Sequence, residues 1–203
     1  MKSVADQIVK RLQSKGRSFA FSAKDFLDLG SRGAVDMAHS MLAKSGKIRR
    51  VLRGVYDYPK YSEFLGKYLA PDFDQVAQAI ARKTGTRIQP TGALAANLLG
   101  LSTQVPAKVV YLTDGRSRTI RFGTQTIRFQ QTSPKELMSN RKIAMVVQAL
   151  RFLGKGSVTD VVVRKIRQIL STAERKRLLK EAKYASTWIP EVVRNIAAGQ
   201  PDG

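Results

Sequence analysis

Four cationic side chains fall within one seven-residue stretch of the sequence, at Lys47, Arg49, Arg50 and Arg53. Ammonium and guanidinium groups at this density are suited to binding phosphate oxygens, whose charge dominates the affinity of proteins for nucleic acids. The stretch carries too much charge for a packing role, so we interpret it as a ribbon that faces phosphate. The alternative is a solvated edge strand, on which Lys and Arg also discourage aggregation.

The sequence offers little that could perform catalysis. His39 is the only histidine, there is no cysteine, and the acidic residues are scattered without the spacing of a metal site or an acid/base pair. Gly154, Lys155 and Gly156 lack the phosphate-loop pattern and are interpreted as a loop. We therefore predict no catalytic residue, no metal ligand and no cofactor, and we expect a protein that is not an enzyme.

A helix and a hairpin are predicted to position the four cations. Ser31 is a good N-cap, and the residues that follow repeat at helical spacing, with His39 on the inner stripe. Gly46 ends this helix, and two β-prone runs then meet at Gly54. A helix that leads directly into a basic hairpin is typical of the end of a winged helix-turn-helix, with its recognition helix and its wing.

The preceding residues fit the same pattern. Residues 3–14 predict an amphipathic helix, Phe19–Phe21 a short strand, and Ser22–Leu29 a short helix that begins with a near-capping box. Gly30 makes the turn into the Ser31 helix. We therefore assign residues 1–59 to a winged helix-turn-helix DNA-binding domain.

The remainder, residues 60–203, is predicted to be a mixed domain. Residues 60–71 are expected to form a connector on the surface, followed by an amphipathic helix from Asp72 to about Lys83 and a short buried helix after Thr91. An antiparallel meander is predicted over about 108–131, and helices over about 140–198, with a frayed tail. The fold class is thus α+β: a winged helix-turn-helix, then a small antiparallel sheet and a helical C-terminal part.

The charge of the chain indicates its partner. The 203 residues include 36 Lys and Arg against 15 Asp and Glu, a formal net charge of +21. This excess favours a polyanion, most simply nucleic acid, over the weaker option of an anionic membrane. No secretory signal and no apolar run of about 20 residues is present, so we expect a cytoplasmic protein that does not bind membranes.

A second group of cations follows near the C-terminus, on two predicted helices. A solvated helical face is the usual explanation of such a run, but few acidic residues balance it here. Two interpretations stay open: a second phosphate-binding surface and a solvated face. Its members are Arg164, Lys165, Arg167, Lys176, Lys180 and Lys183.

The segment SRGAVDMAHSMLAKSGKIRRVLRGVY, residues 31–56, resembles the N-terminal winged helix of AbiEi-type antitoxins of bacterial type IV toxin–antitoxin and abortive-infection systems. The phrase from Lys47 to Tyr56 carries most of the likeness, and the layout of the remaining chain agrees. His39 departs from the apolar residue that is usual at its position.

The resemblance implies an antitoxin that represses its own operon by binding inverted repeats in promoter DNA. It also implies a C-terminal domain that counters a nucleotidyltransferase-like toxin without a stable complex between the two proteins. The DNA-facing positions would be Ser31, Arg32 and Gly33 at the helix start and Arg49, Arg50 and Arg53 in the wing. Lys47 joins them as the fourth cation of the ribbon, and Ser40 joins them from the polar side of the helix.

Three alternatives remain open from the sequence. The chain could be an adaptor or a direct toxin-binding protein whose basic ends hold an acidic partner. It could be a general winged-helix transcription regulator, because basic wings occur in other regulators as well. An RNA-binding or nucleic-acid-modifying enzyme would need a catalytic base or metal ligands that the sequence does not offer.

Overall fold

The computed structural model describes residues 3–104, 108–182 and 188–198 of the chain. The chain divides into two compact units, of which the first comprises Met1–Arg87 with Ile120–Ile127. The second comprises Ile88–Thr119 with Arg128–Gly203. The first unit therefore extends well beyond residue 59, the boundary expected from the sequence.

Within the described residues the protein is a mixed α+β protein with small sheets, which confirms the predicted class. The α-helices are α1 (Val4–Lys15), α2 (Arg32–Lys44), α3 (Phe73–Thr84), α4 (Gly92–Leu98), α5 (Arg141–Leu153), α6 (Asp160–Ile169), α7 (Thr172–Glu181) and α8 (Ile189–Ala197). The strands are β1 (Ala20–Phe21), β2 (Arg49–Leu52), β3 (Val55–Asp57), β4 (Tyr61–Ser62), β5 (Lys67–Tyr68), β6 (Ile88–Pro90), β7 (Val109–Thr113), β8 (Arg118–Phe122) and β9 (Gln125–Gln131).

The first unit is built on a three-stranded sheet of order β1-β3-β2, in which β3 pairs antiparallel with both neighbours. A 3-10 helix, Ala23–Phe26, replaces the short helix expected after β1, and the predicted capping box of Ser22 and Asp25 is present. Helices α1 and α2 supply most of the apolar core, which removes their amphipathic faces from water. Its buried residues are Ile8, Leu12, Phe21, Ala23, Phe26, Val35, Ala38, Leu42 and Ile48.

Residues 60–71 form a hairpin rather than the plain connector expected from the sequence. Strand β4 pairs antiparallel with β5, with Tyr61 opposite Tyr68 and Ser62 opposite Lys67. The turn between them contains Gly66 at φ +61°, a left-handed conformation that suits glycine. A short ribbon therefore follows directly after β3.

The second unit has a helical core centred on the pair α4 and α5. The two helices approach closely at Gly92, where a Cβ would lie 2.7 Å from the Cβ of Phe152 and 3.0 Å from the carbonyl oxygen of Gln148. Glycine is the residue that permits this approach. The buried residues of the core come from α4 to α8 and their flanks: Ala95, Ala96, Leu99, Ile143, Met145, Val146, Val147, Ala149, Leu150, Ile166, Leu170, Leu178, Ala182, Ile189, Val193 and Ile196.

A four-stranded sheet has the order β6-β7-β9-β8, with β6 antiparallel to β7. The predicted meander would have placed β8 between β7 and β9, because neighbours in a meander are consecutive in sequence. In the observed order β9 lies between β7 and β8. Alternation along the three β-prone runs predicts six inward apolar residues, of which Tyr111, Phe122, Ile127 and Phe129 are buried. The other two, Val109 and Ile120, are half-buried.

Candidate nucleic-acid interface

The outward face of α2 begins at the helix N-terminus. Ser31 caps the helix, because its Oγ accepts a hydrogen bond from the Ala34 backbone N–H at 3.3 Å. Arg32 donates from Nε to Asp36 at 2.8 Å, and both side chains are more than half exposed. An exposed pair of this kind contributes about 0–1 kcal/mol, so Arg32 can exchange Asp36 for another acceptor at little cost. The α2 residues predicted to face DNA are all exposed: Ser31, Arg32, Gly33 and Ser40.

Two methionines share this outward face and were not singled out from the sequence. Met37 and Met41 are 68 % and 58 % exposed, and they lie one helical turn apart. Their signal in the sequence is their position opposite the buried stripe of α2. They give the exposed face an apolar centre, with the Arg32–Asp36 pair towards the N-terminus and Lys44 on the last turn.

His39 lies on the buried face of α2. Its ring centroid lies 5.0 to 5.6 Å from the centroids of three aromatic rings, those of Phe21, Phe26 and Tyr56. Neither ring nitrogen has a hydrogen-bond partner within the described part of the chain. Burial lowers the pKa of His39, and this loss of solvation outweighs the attraction of Asp36 for the charged form. His39 is therefore a neutral packing residue of the helix.

The register of the β2–β3 hairpin determines which of its arginines faces Asp57. Leu52 pairs with Val55 next to the turn, so an unbroken ladder would place Arg50 opposite Asp57. An irregularity between Arg50 and Leu52 shifts the register by one residue, and Arg49 lies opposite Asp57 instead. The irregularity thus selects which guanidinium is bound within the protein.

The guanidinium of Arg49 makes three hydrogen bonds within the chain. Its Nε donates to Oδ1 of Asp57 at 3.0 Å, and its Nη2 donates to Oδ2 at 2.5 Å. Its Nη1 donates to the backbone carbonyl of Leu69 at 2.9 Å. Asp57 is only 1 % exposed, so this two-pronged contact supplies hydrogen-bond donors to a carboxyl group that water hardly reaches. This geometry gives Arg49 a structural role, since it joins β2, β3 and the residue that follows β5. The phosphate contact expected of Arg49 stays a prediction.

The other three cations of the stretch are exposed to solvent. The side chains of Lys47, Arg50 and Arg53 form no ion pair with another described residue. Three positive charges that no described acidic side chain pairs with therefore lie within seven residues, immediately after α2.

Other arginines of the first unit are bound internally. Arg11 makes a two-pronged contact with Asp28, at 2.7 and 2.6 Å. Arg82, on α3, donates to Asp25 at 2.6 Å and to the carbonyl of Ala20 at 2.7 Å. These arginines hold elements together, which distinguishes them from Lys47, Arg50 and Arg53.

The turn of the β2–β3 hairpin is supported by α3. Gly54 has φ +73°, a left-handed conformation that costs glycine little. Lys83 donates from Nζ to the carbonyl of Arg53 at 2.9 Å, and a Cβ at residue 54 would lie 2.8 Å from that Nζ. The backbone of the turn is thereby fixed, while the Arg53 side chain stays exposed.

The predicted second cluster divides into bound and exposed side chains. Arg167 donates from Nε to the carbonyl of Ile196 at 3.3 Å and from Nη2 to that of Asn195, at the end of α8. Lys165 donates from Nζ to the carbonyl of Gly100 at 3.2 Å. Arg164, Lys176 and Lys180 are exposed and form no ion pair with a described residue. Lys183 lies outside the described residues.

Neither a metal site nor a membrane helix is found in residues 3–104, 108–182 and 188–198. No group of three or more His, Cys, Asp or Glu side chains there is arranged to hold a metal ion. None of the helices in these ranges has both the length and the apolar character needed to cross a membrane.

Residues 7–178 match a family described as a family of unknown function (DUF6088). The match covers most of the 203 residues, so the chain belongs to this family. No curated protein sequence matches the chain.

Proposed function

We propose that the first unit contains a winged helix-turn-helix and that the protein binds double-stranded DNA through it. The order of the elements supports this: α1, β1, a short 3-10 helix, α2 and the β2–β3 hairpin, with the sheet order β1-β3-β2. In such a domain the second helix of the helix-turn-helix enters the major groove. Here α2 would be the recognition helix and the β2–β3 hairpin the wing.

The observation that carries the proposal is a set of exposed cations that follow α2 directly in the sequence. Lys47, Arg50 and Arg53 are exposed and form no ion pair with a described residue, whereas Arg49 is bound by Asp57. Phosphate contacts from the first three residues would supply affinity and fix the orientation of the domain on the duplex. Arg49 contributes indirectly, because it holds the strands that carry the others.

Recognition of the DNA sequence would come from α2. The helix N-terminus with Ser31 and Gly33 offers backbone N–H groups for phosphate, and Arg32 can reach a guanine edge once it leaves Asp36. The exposed Met37, with Met41 beside it, would contact thymine methyl groups, as apolar side chains do in the major groove. Ser40 adds a hydroxyl that can donate or accept on the same face.

In its specific form, the proposal is an antitoxin that represses its own operon. It rests on the resemblance of residues 31–56 to AbiEi-type antitoxins. The first unit would bind inverted repeats in the promoter. The second unit would counter a nucleotidyltransferase-like toxin encoded by a neighbouring gene, without forming a stable complex with it.

The test of DNA binding compares a triple variant of the wing with a double control variant by fluorescence anisotropy. The probe is a duplex from the DNA directly upstream of the reading frame, titrated over a range of salt concentrations, with a scrambled duplex beside it. Replacing Lys47, Arg50 and Arg53 together by Ala should weaken binding to both duplexes and flatten the salt dependence by about 2 to 3 phosphate contacts. The matched control replaces the exposed Arg121 and Arg128 by Ala, which should leave the slope unchanged.

Two results would overturn parts of this proposal. Equal affinity of the unaltered protein for both duplexes would remove the sequence-specific part. An unchanged salt slope in the triple variant would remove the wing from the interface. Arg32→Ala adds a further check, because it should reduce the preference for the upstream duplex by about 1–3 kcal/mol if it reads a base.

A second candidate function is suggested by the exposed cations of the second unit. Arg164, Lys176 and Lys180 could bind an acidic protein, which would make the chain an adaptor or a direct toxin-binding protein. Co-elution with the product of the neighbouring gene would support this function, if it weakens with rising salt and on replacing the three residues by Ala. Elution of the two proteins as separate species at low salt would exclude it.

A further inference from the structure

The β4–β5 hairpin is a short ribbon with an apolar tip. The rings of Tyr61 and Tyr68 lie opposite each other, edge to face, with centroids 5.2 Å apart. The tip is closed by two local hydrogen bonds. The Gly66 N–H donates to the Glu63 carbonyl at 3.2 Å, and the Leu65 N–H donates to Ser62 Oγ at 3.3 Å.

The side chains at this tip contribute little to the stability of the fold. Phe64 is 97 % exposed, and Tyr61, Leu65 and Tyr68 are each at least half exposed. A single exposed apolar residue is ordinary, but four large ones within eight residues form a patch of the kind that marks an interaction site. Phe64 is the most exposed of the four.

The root of the ribbon is fixed to the root of the β2–β3 hairpin. The Leu69 N–H donates to the Lys60 carbonyl at 2.8 Å, which extends the β4–β5 ladder by one step. The Leu69 carbonyl accepts the hydrogen bond from Arg49, whose other two bonds go to Asp57. One guanidinium thus holds two hairpins side by side within the first unit.

We propose that this second hairpin inserts Phe64 as an apolar wedge into the minor groove of the duplex that the first unit binds. The inference rests on the proposed DNA-binding function and extends that interface by one element. Apolar side chains such as Phe and Leu act as wedges in minor-groove binders, where they unstack a base step and bend the DNA. The exposed Lys60, at the root of the ribbon, and Lys67, on β5, would meet phosphates beside the groove.

Charge favours DNA over a second copy of the chain as the occupant. Each copy carries a net charge of +21, so contact between two hairpins would bring like charges together. The same charge attracts a duplex. At the tip itself Glu63 is the single acidic residue, against Lys60 and Lys67 at the flanks.

The experiment uses the full chain and the duplex upstream of its reading frame, with Phe64→Ala as the variant. Because Phe64 is 97 % exposed, the variant should fold with an unchanged melting temperature. It should bind the duplex about 5- to 150-fold more weakly, the range that the loss of one aromatic stacking contact gives. The salt slope should stay the same, because no cation is removed. The control is Val161→Ala, which shortens another exposed apolar side chain, on α6.

Two further measurements test the unstacking and the bending of the DNA that the wedge would cause. A scan of 2-aminopurine along the duplex should show one or two steps that brighten with the unaltered protein and stay dark with Phe64→Ala. A circular-permutation gel should show a bend that the variant reduces. Both results together support the wedge.

The outcomes separate this inference from the proposed function. If the unaltered protein binds the duplex and Phe64→Ala binds it equally well with the same bend, the wedge is wrong and DNA binding stands. If the unaltered protein binds no duplex, both fail. If Phe64→Ala instead converts a dimer into a monomer in light scattering without changing DNA binding per chain, the tip binds a second copy and the wedge is wrong.

Discussion

Replacing Arg49 by Ala tests whether this residue is structural or contacts DNA. Its side chain joins β2 and β3 through Asp57 and holds the β4–β5 hairpin through the Leu69 carbonyl. We expect Arg49→Ala to destabilise the protein strongly and to leave the salt slope of DNA binding unchanged at a temperature where the variant is folded.

The magnitude follows from what the substitution leaves behind. Asp57 is 1 % exposed and would lose both prongs of its partner. Removing one member of a buried ion pair costs about 3–5 kcal/mol, because the other charge stays buried and uncompensated. The Arg49 side chain is 32 % exposed, so water can partly replace it, and we expect a loss of about 2–4 kcal/mol. For a chain of this size that loss lowers the melting temperature by about 5–15 °C.

The assay is a double-mutant cycle in urea. Arg49→Ala, Asp57→Asn and the double variant are compared by their free energies of unfolding. Because the cost arises mainly from the stranded charge, the double variant should lose less than the sum of the two single losses, with a coupling of about 1–3 kcal/mol. Arg49→Lys keeps the positive charge but lacks the planar guanidinium that makes the two-pronged contact. Its free energy of unfolding should lie between those of the unaltered protein and of Arg49→Ala.

One pattern of results would refute the structural role. In that pattern the free energy of unfolding of Arg49→Ala would be lower by less than about 0.5 kcal/mol, as for an ordinary surface substitution. It would also flatten the salt dependence of DNA binding by about one phosphate contact. Arg49 would then face DNA, as the sequence first suggested.

Three further predictions concern packing and capping. Burial lowers the pKa of His39, so the unfolded chain binds the proton at a higher pH than the folded chain does, and stability should fall as the pH drops below about 6.5. His39→Phe should reduce this loss of stability in urea titrations at several pH values. An equal loss in the variant would contradict the prediction. Ser31→Ala should cost about 1 kcal/mol of unfolding free energy through the lost cap, whereas Ser40→Ala should cost under about 0.5; similar losses would argue against the cap. Gly92→Ala should cost about 1–3 kcal/mol in thermal unfolding, because its Cβ would press on Phe152, and an unchanged melting temperature would show that α4 and α5 can separate freely.

Helix positions could be predicted from the sequence because their signals are local. Ser31 and the pair Ser171 and Glu174 mark helix starts within four residues, and both caps are formed in the structure. Gly85 marks the end of α3 in the same way, with a left-handed conformation. Such signals need no knowledge of distant residues.

The division of the arginines could not be predicted, because it depends on a one-residue irregularity in a strand. With an unbroken ladder from the Leu52–Val55 pair, Arg50 would lie opposite Asp57 and Arg49 would lie on the other face of the strand. The residue types of β2 do not predict the shift in register. The internal contacts of Arg49 therefore became visible only with the register, and the role of the hairpin in DNA binding stays a prediction.

Two strand pairings could not be predicted from the sequence either. The β4–β5 hairpin was missed because its strands are two residues long and its turn lacks an Asn-Gly or Asp-Gly pair. The insertion of β9 between β7 and β8 depends on which strand β7 meets in the folded chain, and alternation alone does not encode that choice. Burial of Tyr111, Ile127 and Phe129 was still predictable, because it depends only on which side of a strand a residue occupies.

The bonds of Arg82 have a consequence for biosynthesis. Arg82 closes on Asp25 and on the Ala20 carbonyl, so the first unit cannot be completed by the residues that leave the ribosome first. The end of β3, at Asp57, is made 25 residues before Arg82. At translation speeds of about 5–20 residues per second, roughly 1–5 s pass between the synthesis of the end of β3 and that of Arg82. During that interval the nascent chain presents an open sheet face, the one that α3 later covers, to any chaperone at the exit of the ribosome.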